Sequence, residues 1–288
     1  MKLTPTLLTA LLLTSGPSIG KAGNMTVTSD FEGASVKVIE MDNAARSISF
    51  MPGGEAVRGW PCWWYFQING LTPGETISLR LRGSDSTVTT PGKPASKPLA
   101  PAWAMPEQAT FSLDAKTWMH TGKGTKEGDV MIYSLKVDAA AVFVAWGPPY
   151  TPTTAGKFVN EMSAKSPHAT AAELCHSRGG RAVPMLHMQE GNLPKNKRFG
   201  VWVQARQHAW ESGSSWVAQG FSEWIISDDA DAAWLRQHAE IFVVPIMDID
   251  NTVTGNGGKD AQPQDHNRDW SPQRHWNEVE PPPSPAQG

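Results

Sequence analysis

The sequence predicts an α+β chain of two unlike parts, an N-terminal antiparallel β-sandwich followed by an α/β layer. Three observations carry that prediction. Up to about residue 147, short apolar runs alternate with polar residues and stop at turn dipeptides, whereas beyond it helix-like and strand-like segments take turns. The 26 glycines and 23 prolines supply the many turns that both patterns require. A length of 288 residues is enough to bury a sizeable core without a disulfide or metal staple.

Residues 1–22 read as a targeting signal. Lys2 gives the positive start, residues 7–13 the short apolar run, and Ser18-Ile19-Gly20-Lys21-Ala22 the small-residue cleavage region. Export to the periplasm or the exterior is expected, with a mature start near Gly23 and no membrane anchor, since the run is far below the roughly 20 residues of a membrane span. The sandwich is assigned to 25–147. Its strands are Ser35-Val36-Lys37-Val38-Ile39, Ser47-Ile48-Ser49-Phe50, Trp64-Tyr65-Phe66-Gln67-Ile68, Thr76-Ile77-Ser78-Leu79-Arg80-Leu81 and the buried-looking Ala141-Val142-Phe143-Val144-Ala145-Trp146. Asn69-Gly70 and Pro73-Gly74 mark turns, and 89–101 is a Pro-rich excursion. The α/β part is assigned to 148–276, with helices over 154–165, 215–227 and 232–238 and strands over 199–205 and 241–247. The tail 277–288, with Pro281-Pro282-Pro283-Ser284-Pro285, is expected to be disordered.

Composition narrows the partners. A net charge of -3, a charged fraction of 18% and the lack of basic runs argue against nucleic acid, which needs a clustered Lys/Arg surface. Cys62 and Cys175 lie far apart in unlike segments and read as buried thiols. Thirteen tryptophans against three tyrosines are unusual, and Trp60, Trp63 and Trp64 offer flat faces to a peptide or carbohydrate. Because Trp64 and Phe66 alternate with Trp63 and Tyr65, one set must point into the sandwich, which leaves at most half for a ligand.

The chemistry concentrates in the second part. After the strand ending at Ala205 comes Arg206-Gln207-His208-Ala209-Trp210-Glu211-Ser212, followed by a helix. Ligands gather at such strand-to-helix edges, and an imidazole and a carboxylate three residues apart can converge on one zinc ion. Alone, His-x-x-Glu is a weak signal, more often a solvated helix face. Downstream stand a buried strand, Asp248-Ile249-Asp250-Asn251-Thr252, the loop Gly255-Asn256-Gly257-Gly258-Lys259, and Asp265-His266-Asn267-Arg268-Asp269-Trp270. Asp248-x-Asp250 also resembles the nucleophile motif of haloacid-dehalogenase-type phosphatases, a weaker match because that motif normally opens its domain. Asp265 and His266 read as capping or solvated residues, and His120, His168, His176, His187 and His238 are expected to face solvent.

In this order, the motifs over about 31–276 resemble the zinc carboxypeptidases of the M14 family, in the cytosolic-carboxypeptidase-like branch with its N-terminal β-sandwich. Trp63-Trp64-Tyr65-Phe66, Gly147-Pro148-Pro149-Tyr150-Thr151 and Gly179-Gly180-Arg181-Ala182-Val183-Pro184 resemble segments of that branch. The resemblance implies a zinc-dependent metallocarboxypeptidase acting on peptide or protein C-termini. His208 and Glu211 match two zinc ligands, and Asn267 and Arg268 match the pair that grips the substrate carboxylate. An arginine expected shortly after Gly255-Asn256 is absent, and Lys259 is the candidate to stabilise the oxyanion in its place. No third ligand or general-base glutamate is identified, so the 148–276 domain is expected to be a partial one and the chain as given not a competent peptidase. The alternative is a non-catalytic secreted binding protein that uses the sandwich.

Overall fold

This computed structural model describes residues 23–92 and 97–279. The expected signal, four residues of the Pro-rich excursion and 280–288 of the tail lie outside the described residues. In chain order the first half contains β1 (Thr26–Thr28), β2 (Lys37–Asp42), β3 (Ser47–Met51), β4 (Tyr65–Asn69), β5 (Glu75–Arg82), β6 (Thr87–Val88), β7 (Lys97–Pro98), β8 (Thr110–Ser112), β9 (Met119–His120), β10 (Thr125–Glu127), β11 (Val130–Val137) and β12 (Ala141–Ala145). They make one sheet ordered β1-β4-β12-β8-β9, a second ordered β10-β11-β5-β3-β2, and the small β6-β7 pair.

The two five-stranded sheets share one core. Ile48 and Phe50 of β3, Leu79 and Leu81 of β5 and Tyr133 of β11 meet Trp64, Phe66 and Ile68 along β4 and Val142 and Val144 of β12. These are alternate positions, as the two-residue side-chain period of a strand requires. Phe50 packs edge-on against Trp64 at 5.3 Å and Phe66 at 4.9 Å. One ladder departs from the antiparallel expectation, because β3 and β5 run parallel. Between them the chain crosses to β4 in the other sheet, and the two reversals return it in its original direction.

Trp63 and Tyr65 point to the opposite face of β4 from Trp64 and Phe66, yet both sets are buried. The bound of at most half is thus met with none of these four rings left open to a ligand. Phe31, Trp118, Phe143, Trp146 and, from the second half, Trp210 cover the outer face. The Arg206 guanidinium lies 5.6 Å from the Trp63 ring, whose indole N–H donates to Gly33 O at 2.9 Å.

The second half contains α1 (Pro152–Lys165), β13 (Ala169–His176), β14 (Ala182–Met188), β15 (Phe199–Gln204), α2 (Ser212–Ile225), α3 (Ala230–His238), β16 (Ala239–Val244) and the short α4 (Ile249–Val253). The α1 helix starts where Thr151 accepts a hydrogen bond from Thr154 N–H and Pro152 presets the first turn. Its apolar stripe, Phe158, Val159 and Met162, packs on Leu186, Ile241 and Val243. The sheet order is β13-β14-β16-β15, with only β15 and β16 parallel. Helices α2 and α3 form the crossover between those two strands, so both strands end on the same side of the molecule. β16 ends at Val244 because Pro245 has no N–H to continue the ladder. There the chain from 205 runs beside the chain from 245, held by Ala205 N–H to Val244 O and Asp248 N–H to Arg206 O. The described start of the expected tail is also ordered, since Asn277–Val279 is a 3-10 turn with Glu278 and Val279 buried. Among the described residues no helix is long and apolar enough to cross a membrane.

Candidate metal and substrate site

The site begins where β15 stops. Arg206 takes a φ of 54°, turning the chain sharply, and its N–H donates to Ser214 Oγ near the start of α2. The turn brings His208 under Glu211, with His208 Nδ1 2.8 Å from Glu211 Oε1 and the His208 N–H donating to Glu211 Oε2 at 3.1 Å. On the other side, His208 Nε2 lies 3.1 Å from Asp265 Oδ1. Burial disfavours charge on this imidazole, but hydrogen bonds and charge from Asp265 and Glu211 outweigh it and lift His208 from 6.5 to about 9.

Asp265 is the hub that sequence reasoning treated as a capping or solvated residue. It does cap the 3-10 turn His266–Arg268, accepting from Asn267 N–H at 2.8 Å, but it is buried and also receives Asp260 N–H at 2.9 Å and Lys259 Nζ at 3.2 Å. Burial alone would raise its carboxyl. The His208 and Asp260 hydrogen bonds, with the charges of His208 and Lys259, hold it well below the usual carboxylate range. His208, Glu211, Asp265 and Lys259 are therefore linked by direct contact. Asn267 and Arg268 stand exposed on the turn that Asp265 caps, and the Arg268 guanidinium donates to Asn267 O at 3.1 Å. They share the loop with the site and do not touch His208 through any hydrogen bond observed.

Two residues that sequence reasoning did not assign to the site hold the loop from beneath. Asp248 Oδ2 accepts Ala209 N–H at 3.3 Å, and Arg206 Nε donates to Ala209 O, so the peptide between the two candidate ligands is held at both ends. Arg206 also donates to Tyr150 O. Burial pulls the Arg206 guanidinium down and pushes the Asp248 carboxyl up, with Asp248 and Glu211 partly restoring the former and His266 and Asn251 the latter. Because Asn251 Nδ2 and Ala209 N–H occupy the Asp248 carboxylate, and Asp250 is bonded to Arg181, Ser177 and Gly179, neither acid is free to act as a phosphatase nucleophile.

Four histidine expectations are also corrected, His168 and His238 being half-buried. His266 is buried, with Nδ1 2.8 Å from Gln207 Nε2 and Nε2 3.8 Å from Glu278 Oε2. His187 is half-buried and stacks on Phe242 at 4.6 Å. Cys62 is a buried free thiol, and Cys175 is only half-buried.

Among the described residues no three His, Cys, Asp or Glu side chains converge in a metal-sized cluster. His208 and Glu211 nevertheless fit two positions of a zinc site. Their Nδ1 and Oε1 atoms point at one another, and the remote ring nitrogen rests on a carboxylate, the support that orients a metal-bound histidine.

Comparison with known proteins points to one family. Residues 156–287 match the family model described as zinc carboxypeptidase, Peptidase M14. Cytosolic carboxypeptidase 2 of Danio rerio is 26% identical over 230 residues, which cover 72% of this chain and 31% of that protein. The chain is similar to the M14 zinc carboxypeptidases. An uncharacterised protein of Zymomonas mobilis is 25% identical over 247 residues, covering 85% of this M14-like chain and 59% of that relative. The crystal structure of a metallo-carboxypeptidase from Burkholderia cenocepacia superposes with a TM-score of 0.73 and 22% identity, covering 89% of this chain and 65% of that one. At that identity the likeness is one of fold. The M14-like chain thus spans less than two thirds of the length of each of these three proteins.

The arginine that the resemblance leads one to expect after Gly255-Asn256 has no room at the next two positions. A Cβ at Gly257 would collide with Trp60 O, and one at Gly258 with Asp248 Oδ2 and Ala209 N. Neither position has room for a side chain, and the first one that does, Lys259, turns to Asp265.

Proposed function

We propose that this chain contributes the zinc and carboxylate-recognition side of a metallocarboxypeptidase site that removes residues from peptide or protein C-termini. The observation that carries this reading is the convergence of His208 Nδ1 and Glu211 Oε1 at 2.8 Å, with Asp265 behind the ring. His208 and Glu211 would hold the zinc, which supplies a Lewis acid for the scissile carbonyl and an acidified water. Asp265 fixes the imidazole, so that Nδ1 faces the metal position and Nε2 carries its proton toward the carboxylate. Arg268 presents an exposed planar guanidinium that can take a carboxylate bidentately, and Asn267 adds an amide beside it, which restricts binding to chain ends. Lys259 balances the charge on Asp265 and remains the nearest candidate to meet developing negative charge.

Zinc measured by elemental analysis and binding of unblocked against C-terminally amidated peptides test the reading together. Stoichiometric zinc that is lost in His208→Ala, with binding of the unblocked peptide weakened by Arg268→Ala, is the expected result. Absence of zinc in a folded wild-type chain supplied with the metal would refute it.

A further inference from the structure

We propose that Trp60, Trp103 and Trp210 form an aromatic subsite beside Glu211 that takes an aromatic or large apolar side chain of a peptide, upstream of its free C-terminus. The inference rests on the carboxypeptidase reading and adds a substrate preference to it.

Trp210 stands in the chain between His208 and Glu211, so its ring is carried by the same turn that sets the candidate ligands. Trp103 lies 6.0 Å from it and 5.0 Å from Trp60. Trp146 buttresses the group, crossing Trp210 at 5.4 Å and 89° and donating its indole N–H to Trp103 O at 3.0 Å. Trp60 and Trp210 pack against the buried cluster of Cys62, Val88, Leu99 and Ala104, so those two rings cannot sink inward. The Cys62 thiol is raised by burial and, in smaller part, by the Glu211 charge, consistent with a patch that borders that carboxylate.

Trp60 is fastened to the other wall of the site. Its indole N–H donates to Asp260 Oδ2 at 3.0 Å, its backbone N–H donates to Lys259 O at 2.9 Å, and Asp260 N–H donates in turn to Asp265. The patch is therefore continuous with the loops of His208, Glu211 and Lys259. Trp103 is 44% exposed despite this support, an indole held partly in water by its neighbours. Ring faces so held favour another aromatic side chain at 4.5–7 Å, with little ordering cost on the protein side. The nearby charges are already engaged, Lys259 with Asp265 and Asp260 with Trp60 and Thr90, so the patch selects for apolar surface.

The test uses the whole chain, with and without added zinc, and tryptophan quenching with calorimetry to measure Kd. The probes are tetra-alanine, its three variants with Phe at each position before the last, their C-terminal amides, and cellotetraose. One Phe variant is expected to bind about tenfold more tightly than tetra-alanine, with the difference shrinking below twofold in Trp103→Ala and surviving in Trp103→Phe. Equal Kd values for all four peptides, discrimination that persists in Trp103→Ala, or cellotetraose as the ligand that Trp103→Ala loses would overturn the subsite. Carboxylate dependence without Phe preference sinks the subsite alone, whereas Phe preference that amidation leaves intact sinks the carboxypeptidase reading. If no peptide binds, both fall.

Discussion

An imidazole held between two carboxylates sets the electrostatics of His208. Without metal, its folded pKa of about 9 exceeds the ordinary 6.5. A raised pKa contributes stability that is complete below pH 6.5 and is lost as pH rises through 9. Asp265 works in the opposite direction, its depressed pKa contributing above the ordinary 3.8 and failing as pH falls below it. For the chelator-treated chain, the His208 contribution of about 3 kcal/mol should fade between pH 6.5 and 9. Urea unfolding at pH 6 and pH 9 should show that loss, and His208→Gln should flatten it. An unchanged midpoint in the wild type would contradict the ion-pair account. Gly258 carries a different constraint, since its φ of 81° and the Asp248 oxygen at the Cβ position both exclude a side chain. Gly258→Ala should therefore cost about 2–4 kcal/mol in denaturant unfolding, and a loss within 0.5 kcal/mol, the size of a neutral surface change, would show that the loop can move aside.

The loop between β15 and α2 owes its shape to elements that lie far away in the chain. Asp248, just after β16, and Arg206, just after β15, hold the two ends of the Ala209 peptide. Asp248→Ala would strand Ala209 N–H and take from a buried guanidinium the larger of its two nearby negative charges, a loss of about 3–5 kcal/mol. Weaker zinc binding in chelator competition should accompany it, and wild-type affinity in a folded variant would remove Asp248 from the site's support. This dependence also marks where sequence was legible. The alternating strands β3, β4 and β5 and the helices α1, α2 and α3 follow from local period and capping, with ends displaced by a few residues, as where α2 begins at Ser212 instead of 215. The hairpin β13–β14 escaped notice because its strands are half-buried on both faces, so neither alternates cleanly, and only Gly179-Gly180 hinted at its turn. His208 and Glu211 were singled out by the family resemblance, because their spacing alone is a weak signal. Asp265 was not, because a polar loop residue looks solvated until the fold brings it 57 positions back to an imidazole. The parallel pairing of β3 with β5 and the covering of Trp63 have the same cause, a contact made by a distant segment.

At the scale of the molecule, the two halves are joined backbone to backbone, which is why the 255–258 loop is so rich in glycine. Gly33 N–H donates to Val253 O, Gly258 N–H to Arg58 O, Trp60 N–H to Lys259 O and Gln262 N–H to Val57 O, while Glu55 N–H donates to Asn256 Oδ1. A Cβ at Gly255 would strike Ala34 O and one at Gly257 would strike Trp60 O, so the approach is closer than any side chain permits. Trp210 meanwhile fills the outer face of the first half's sheet, and Arg206 caps Trp63. Loosely tethered domains unfold separately across a small polar interface, but here separation would strand buried N–H and C=O groups and expose indole rings on both sides. The 25–147 and 148–276 segments should therefore unfold in one transition. Far-UV circular dichroism, which follows the helices of the second half, and tryptophan fluorescence, which follows the six tryptophans of the first half together with the seven of the second, should give superimposable urea curves. Gly257→Ala should shift both curves together toward lower urea. Two resolved midpoints in the wild type, or a variant that moves one signal and leaves the other in place, would mean that the halves fold independently and that the site between β15 and the 255–268 loop does not rely on the first half for its shape.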